Sequence, residues 1–172
     1  MVKLWRCRIC GDPYIGAAPP DNCPFCGAHR RFIKPAARSL EISFNVNLTR
    51  TDKANAQRAL NVELSNSAFY SCAAKKTDSR EGKLLFKALG KVEMEHASIW
   101  KKILGLAAAD KVAAVCYTST KANLKESHDR EQKAIAFYRT AAHESSTARL
   151  REIFLALVEI ETDHLDLSEA RL

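Results

Sequence analysis

Two short segments of this sequence carry a glutamate and a histidine three residues apart. They are Glu93-Met94-Glu95-His96 and Glu161-Thr162-Asp163-His164, and they are separated by 161 − 93 = 68 residues. On a helix, residues i and i+3 lie on one face about one turn apart, so each segment presents a carboxylate and an imidazole to one point. Each segment therefore predicts half of a metal site.

The same offset relates longer parts of the sequence. It superposes Glu63 and Tyr70 on Glu131 and Tyr138, since 131 − 63 and 138 − 70 are both 68. Four segments also have the apolar periodicity of amphipathic helices, with each of these glutamates on the apolar stripe. The sequence therefore predicts a mainly α fold, a bundle of four helices in which one helix pair is repeated. The predicted helices span 52–74, 79–103, 120–143 and 147–170.

Helix starts and connections can also be predicted. Asp78 stands three residues before Glu81, which predicts a capping box at the start of the second helix. The connection from Gly105 to Thr118 has 14 residues, which reach about 46 Å when extended, whereas a helix of about 25 residues is about 37 Å long. A crossover along the bundle is feasible, and so is an exchange of helices between two subunits.

Four glutamates and two histidines are expected to point into this bundle. Buried carboxylates without partners would each cost several kcal/mol or take up protons, and two divalent cations would balance their charge. A glutamate from each of two helices and Glu-x-x-His from the other two is the known ligand pattern of di-iron sites in ferritin-like bundles. Zinc or manganese can use the same ligands. By this rule Glu63 and His96 bind one iron and Glu131 and His164 the other, while Glu93 and Glu161 bridge them.

Other side chains near this site have less specific patterns. Tyr70 and Tyr138 follow their glutamates by seven residues, so they can hydrogen-bond the ligand carboxylates, donate protons or simply fill the core. His128 is expected to be a core histidine rather than an extra ligand. Cys72 and Cys116 have no paired spacing and are expected to be buried thiols.

Four further cysteines lie in two Cys-x-x-Cys-Gly segments near the N-terminus. Such turns bring two sulfurs to one metal, and four sulfurs suit either zinc or a single iron. No apolar run approaches the roughly 18 residues of a membrane span, and no signal peptide is evident, so we expect a reducing, cytoplasmic location with metal rather than disulfides. The segments are Cys7-Arg8-Ile9-Cys10-Gly11 and Cys23-Pro24-Phe25-Cys26-Gly27.

Residues 4–34, with Trp5, both cysteine segments and Phe32, resemble the rubredoxin module of rubrerythrins. Nearly the whole chain resembles the reverse rubrerythrin arrangement, in which this module comes first. The resemblance implies a rubredoxin-like module with one iron held by four cysteines (1–34), an extended linker (35–51) and a ferritin-like di-iron bundle (52–172). It also implies a peroxidase in oxidative-stress defence, which reduces hydrogen peroxide to water with electrons from a donor protein or reductase.

The sequence departs from the family pattern at two places. Asp12-Pro13 follows the first cysteine segment where an aromatic residue is frequent, and Ala134 stands where many members carry a further glutamate. That glutamate is associated with redox-linked movement of one iron, so the peroxidase prediction is less direct here. A ferroxidase or oxidase that uses dioxygen is the first alternative, and a zinc-ribbon helical interaction protein is the second.

Charge and patterning predict the partners. Residues 1–38 hold seven Lys/Arg and two Asp, a net charge of 7 − 2 = +5 out of +7 for the chain. No basic run alternates with stacking aromatic residues, so nucleic acid is not expected, and an acidic partner or another subunit fits better. Apolar residues alternate with polar ones from Ile42 to Leu48. We expect this extended segment to need cover and therefore predict a homodimer or larger assembly.

Overall fold

The computed structural model describes residues 1–110 and 112–172, in which a small sheet precedes four long helices. The antiparallel sheet has the strand order β2-β1-β3, and two short 3-10 turns, Arg30–Phe32 and Ala36–Arg38, flank its last strand. The mainly α fold predicted from the sequence is confirmed. The elements are β1 Lys3–Cys7, β2 Pro13–Gly16, β3 Ile33–Pro35, α1 Arg50–Lys76, α2 Arg80–Leu104, α3 Thr120–Glu144 and α4 Ala148–Glu169.

Each long helix begins at a hydroxyl side chain that caps the first turn. Thr49 forms a capping box with Asp52 at the start of α1. Ser79, Ser119 and Thr147 accept hydrogen bonds from the first turns of α2, α3 and α4. These hydroxyls accept hydrogen bonds from backbone N–H groups that have no partner within a helix. All four helices begin and end within two residues of the predicted positions.

The predicted capping box at Asp78 is wrong. Ser79 is the N-cap of α2, and its hydroxyl accepts a hydrogen bond from the Gly82 amide at 2.8 Å. The Asp78 carboxylate instead accepts a hydrogen bond from the Thr120 amide at 3.0 Å and another from the Thr120 hydroxyl. Asp78 therefore caps α3, a helix that the crossover brings to it.

A second contact related by the repeat closes the other end of the bundle. Asp52 in α1 accepts hydrogen bonds from the amide and hydroxyl of Ser146 at 3.1 and 2.5 Å. Because 146 − 78 and 120 − 52 are both 68, this pair is the counterpart of Asp78 and Thr120. The two helix pairs are thus held together at both ends by equivalent Asp-hydroxyl contacts.

The connection between α2 and α3 returns along α1, as the predicted crossover requires. Residue 111, in the middle of this connection, lies outside the described residues. Cys116 in the connection forms a disulfide with Cys72 in α1. The prediction of two buried thiols is therefore wrong: the path of the crossover, which no local pattern reveals, brings together two residues that are 44 apart in sequence.

The extended segment before α1 packs on its own bundle. Phe44, Val46 and Leu48 are partly buried against the main hydrophobic core, while the alternate residues are exposed. The alternation was predicted, but the apolar face is covered within one chain. The reason given above for a dimer therefore does not hold. Among the described residues, no helix has the length and apolar character needed to cross a membrane.

Candidate functional site

The four N-terminal cysteines form one buried cluster. The Sγ atoms of Cys7 and Cys26 are 3.7 Å apart, and those of Cys10 and Cys23 are 3.8 Å apart. A tetrahedral metal with metal–sulfur bonds of about 2.3 Å needs sulfur–sulfur distances of about 3.8 Å. The cluster therefore has the size of a tetrahedral metal site, and contact between Cys10 and Cys23 raises the pKa of Cys10 and lowers the pKa of Cys23.

Glycine completes both cysteine turns. Gly11 and Gly27 have φ values of +89° and +76°, in the left-handed region that residues other than glycine rarely adopt. A Cβ on Gly27 would also lie 3.1 Å from Cγ2 of Ile160 in α4. Gly27 therefore permits both the turn and the close approach of the cysteine cluster to the bundle.

A second cluster lies inside the bundle, where the four helices contribute six buried side chains. Two overlapping groups each place their potential ligand atoms within 4.8 Å of one another. Glu93 and Glu161 belong to both groups, which is the arrangement expected of bridging carboxylates. The first group is Glu63, Glu93, His96 and Glu161, and the second is Glu93, Glu131, Glu161 and His164.

Several polar atoms in this cluster have no hydrogen-bond partner in the described part of the chain. They include both carboxylate oxygens of Glu93 and Nδ1 of His96. An unpaired buried polar atom costs about 1–3 kcal/mol, and more when it is charged. Metal ions held among these atoms would remove that cost, so the donor set fits divalent iron and also other metals that accept N and O ligands. The other unpaired ligand atoms are Glu63 Oε2, Glu131 Oε2 and Glu161 Oε1.

His96 connects the two clusters. Its Nε2 lies 2.9 Å from the backbone carbonyl oxygen of Cys26. Because a carbonyl only accepts hydrogen bonds, Nε2 must carry the proton, and in the neutral ring Nδ1 holds the lone pair. Nδ1 lies 3.3 Å from Glu93 Oε2 and 3.3 Å from Glu161 Oε1. One ring therefore faces the carboxylates with a metal-binding nitrogen and contacts the cysteine cluster with the other nitrogen.

His164 occupies the equivalent position in the second group. Its Nδ1 lies 2.9 Å from Glu161 Oε2 and 3.2 Å from Glu93 Oε1. Burial alone would lower the pKa of each histidine, but the surrounding carboxylates, mainly Glu63 for His96 and Glu161 for His164, raise both pKa values well above the usual range. Without metal, both rings therefore carry a proton that a metal would have to displace.

The four carboxylates divide into two kinds. Burial and the neighbouring carboxylates raise the pKa of Glu63 and of Glu131 well above the usual range. Burial also opposes ionisation of Glu93, but the His164 and His96 rings, whose Nδ1 atoms lie 3.2 and 3.3 Å from its oxygens, outweigh burial and lower the pKa. The pKa of Glu161 is lowered in the same way, against burial and the Glu93 charge. Without metal, these opposite shifts favour ionised Glu93 and Glu161 beside protonated histidine rings, and they favour the protonated forms of Glu63 and Glu131.

Two buried tyrosines hold the outer carboxylates. The Tyr70 hydroxyl donates a hydrogen bond to Glu131 and lies 2.8 Å from the Ser127 hydroxyl. The Tyr138 hydroxyl donates to Glu63. Burial and the neighbouring carboxylates raise the pKa of each tyrosine, so both hydroxyls stay protonated as donors. The predicted contact between these tyrosines and the carboxylates is present in the structure, and each tyrosine contacts the glutamate of the other repeat.

A third set of side chains fixes the cysteine module on α2 and α4. His29 Nε2 lies 2.7 Å from Asp163 Oδ2, and Arg31 forms an ion pair with Glu159. The Lys102 ammonium donates to the Cys10 carbonyl at 3.0 Å. These contacts were not predicted, because the metal-ligand pattern gives no role to His29 or Asp163, and the two residues meet only when the module docks.

Two further titratable side chains on α2 and α3 lie outside the cluster. His128 is partly exposed and contacts Glu169 at 2.9 Å rather than the inner carboxylates. Glu95 lies beside Asp12 next to the cysteine module, and burial together with Asp12 raises its pKa to about 7. Neither residue belongs to the two groups of potential metal ligands within the bundle.

Comparison with known protein families gave two matches. Residues 5–33 match the family described as the rubrerythrin, rubredoxin-like domain, and residues 55–171 match the family described as rubrerythrin. The second match covers 171 − 55 + 1 = 117 of the 172 residues. Searches among curated proteins and among solved structures found no match.

Proposed function

Because the chain belongs to the rubrerythrin family, we propose that it is a di-iron peroxidase that reduces hydrogen peroxide to water with electrons relayed through a single iron held by four cysteines. Glu63, Glu93, His96, Glu131, Glu161 and His164 would hold the di-iron centre, and Cys7, Cys10, Cys23 and Cys26 the single iron. When bound, the iron ions supply Lewis acidity and electrons. Two electrons and two protons convert one peroxide molecule to two waters.

The observation that carries this proposal is the position of His96 between the two clusters. Its Nδ1 faces the inner carboxylates, and its Nε2–H donates to the Cys26 carbonyl at 2.9 Å. One hydrogen bond thus joins a ligand residue of the four-cysteine site to a ligand residue of the di-iron site. A zinc ribbon that served only as an interaction module would have no need for this connection.

The surrounding residues support proton delivery and exclude water. Glu63, Glu93, Glu131 and Glu161 have 0% exposure, so bulk water does not surround them. Tyr70 and Tyr138 retain their hydroxyl protons beside the carboxylates. Each tyrosine can orient a carboxylate and hold a proton beside it, which suits a reaction that consumes protons.

Stopped-flow oxidation tests the choice of oxidant. Anaerobically reduced protein would be mixed with one equivalent of hydrogen peroxide or with air-saturated buffer, and the absorbance bands of the di-iron and four-cysteine sites would be followed separately. We expect peroxide to oxidise the di-iron site faster than dioxygen does. Faster oxidation by dioxygen would favour a ferroxidase, and Ala134→Glu would then show whether the missing carboxylate determines the preference.

A cysteine variant tests the electron relay. Cys10→Ala should leave one oxidation of the reduced protein by peroxide intact, while it abolishes steady-state turnover with a donor protein or reductase that acts through the four-cysteine iron. Circular dichroism must first show that the variant is folded, because a small metal module can depend on its metal for folding. Equal loss of both activities would indicate a structural role for the module.

Metal identity, assembly and location are further parts of the proposal. Metal analysis after iron-replete expression should find iron at both sites, and zinc alone would support the interaction module. Sedimentation velocity tests the predicted dimer.

The Cys72–Cys116 disulfide argues against a strongly reducing compartment. Thiol labelling of these two residues in intact cells would therefore test the proposed cytoplasmic location.

A further inference from the structure

A cavity of about 390 Å³ lies between α1 and α3, away from the helices that contact the cysteine module. Val62 and Arg130 are part of its wall, and they immediately precede Glu63 and Glu131 in the chain. Asn66 and Ala134, one helical turn after those two glutamates, also line it. We call this space the α1–α3 cavity.

The wall of the α1–α3 cavity follows the internal repeat. Asn66 corresponds to Ala134 and Ser65 to Lys133, since 134 − 66 and 133 − 65 are both 68. Equivalent positions of the two repeats therefore face each other across the cavity. The residues at equivalent positions differ in type, so the two sides of the cavity differ in charge and polarity.

Positive charge predominates in the wall. Arg58, Arg130 and Lys133 line the cavity, and Glu126 is the one acidic residue among the lining side chains. Glu126 accepts a hydrogen bond from Nε of Arg130 at 2.8 Å. Subtracting this carboxylate from the three cations leaves a net charge of 3 − 1 = +2 around the cavity. A neutral molecule such as hydrogen peroxide does not require that charge.

Arg130 is held in place by the protein. Its Nη1 donates to the Ser65 hydroxyl at 3.2 Å and to Oδ1 of Asn66 at 3.3 Å, and its guanidinium lies 4.5 Å from the centre of the Phe69 ring. A guanidinium fixed in this way loses little freedom when it binds a further acceptor, and its planar geometry matches a carboxylate. Arg130 is therefore suited to recognise a planar anion.

Asn66 provides a second and independent observation. The residue is only 3% exposed, and its Nδ2 has no hydrogen-bond acceptor in the described part of the chain. Its Oδ1 already accepts from Arg130, which fixes the nitrogen as the free donor. A buried donor without an acceptor is unfavourable. The nitrogen itself is shielded from solvent, so a ligand oxygen in the cavity would relieve it after a small rotation of the Asn66 side chain.

We propose that the α1–α3 cavity is a binding site for a small carboxylate anion. The carboxylate accepts hydrogen bonds from Arg130 and Asn66, Lys133 and Arg58 balance its charge, and its carbon atoms contact the apolar wall formed by Val62, Ala134 and Phe137. A simple halide would leave this apolar wall uncovered.

A depression that adjoins the α1–α3 cavity limits the length and the charge of the ligand. It shares Arg58, Lys133 and Phe137 with the cavity and adds Glu144, which accepts a hydrogen bond from Asn55 at 2.9 Å. A second carboxylate on a longer ligand would approach Glu144 and be repelled. The site therefore favours a short ligand with one negative charge.

Nuclear magnetic resonance of the full-length protein loaded with Zn²⁺, which is diamagnetic, tests this proposal. Sodium acetate would be the probe, and sodium chloride at the same ionic strength the comparison. We expect a saturable shift of the Asn66 side-chain amide with acetate and none with chloride. Linear shifts of equal size with both salts would overturn the proposal.

Three variants locate the binding. Arg130→Gln removes a charge-assisted hydrogen bond and should weaken acetate binding about tenfold or more. Ala134→Leu should block binding by filling the cavity without changing its charge. Lys125→Gln, an exposed change on α3 outside the wall, is the matched control and should bind acetate normally. Unchanged binding in both cavity variants, each shown to be folded, would also overturn the proposal.

Discussion

The hydroxyl of Tyr138 in α3 donates a hydrogen bond to the carboxylate of Glu63 in α1, although the two residues lie 75 apart in sequence. Tyr70 and Glu131 repeat this contact in the opposite direction. Along α1, Glu63 precedes Tyr70, whereas the residues that they contact on α3, Tyr138 and Glu131, come in the reverse order. The two helices therefore run antiparallel. Each half of the inner cluster is therefore supported by a tyrosine from the other half.

This exchange predicts that the tyrosines act on separate metal positions. Tyr138→Phe removes the donor to Glu63 and should weaken metal binding at the group that contains Glu63 and His96 by about tenfold, because partners that orient metal ligands typically contribute 10–100-fold. Crystals grown with limiting Co²⁺ would give the occupancy of each position from anomalous scattering. We expect a selective loss at the Glu63 position.

The repeat provides a matched control. Tyr70→Phe should instead reduce occupancy at the group that contains Glu131 and His164. Both variants keep the aromatic ring, so core packing changes little. Equal losses at both positions in each variant would mean that the tyrosines stabilise the bundle as a whole and do not support individual ligands.

The parts of this structure that follow from the sequence are those determined by local periodicity. Apolar spacing indicated the helices, and the repeated Glu-x-x-His segments indicated the inner cluster. Contacts that depend on docking were not predictable: His96 meets the Cys26 carbonyl only when the cysteine module packs on α2 and α4. Asp78 fitted a local capping rule, yet it caps α3 because the crossover brings Thr120 to it.

Metal loading is predicted to release protons. In the metal-free protein, Glu63 and Glu131 have raised pKa values and hold protons, as do His96 and His164. Binding of two divalent ions must displace these two carboxylic and two imidazolium protons. Protons therefore compete with metal, and affinity should rise as the pH rises toward the raised pKa values.

Calorimetry can measure this release. Titration of the metal-free bundle sites in buffers with different ionisation enthalpies gives the number of protons released with each metal ion. We expect proton release with each ion, because the raised pKa values of Glu63, Glu131, His96 and His164 favour bound protons in the metal-free protein. No dependence on the buffer would mean that the inner cluster is already deprotonated before it binds metal.

The Cys72–Cys116 disulfide is predicted to stabilise the fold. Closing a loop of 44 residues in the unfolded chain stabilises the native state by about 4 kcal/mol in the chain-entropy treatment. Cys116→Ser should therefore lower the free energy of unfolding by up to about 4 kcal/mol, measured by urea denaturation of metal-loaded protein.

A double variant distinguishes the effect of losing the disulfide from the effects of changing the two side chains. Cys72→Ser and Cys116→Ser each remove the same bond, so their combination should cost little more than either change alone. Mass spectrometry after alkylation without reductant would verify the bond in the unmodified protein. Additive losses, or two alkylated thiols at these positions, would contradict the predicted contribution.

The approach of the cysteine module to the bundle gives a last prediction, based on two glycines with positive φ. Gly27 and Gly105 have φ values of +76° and +68°, so alanine at either position incurs about 1–2 kcal/mol of backbone strain. Only Gly27 also faces the bundle, where an added Cβ would lie 3.1 Å from Ile160, whereas no atom of the described residues lies within 4 Å of a Cβ at Gly105. Gly27→Ala should therefore displace the Cys26 carbonyl from His96 and slow electron redistribution between the sites after one equivalent of peroxide. Gly105→Ala should lose stability without slowing that redistribution, and equal rates in the two variants would show that transfer does not depend on this contact.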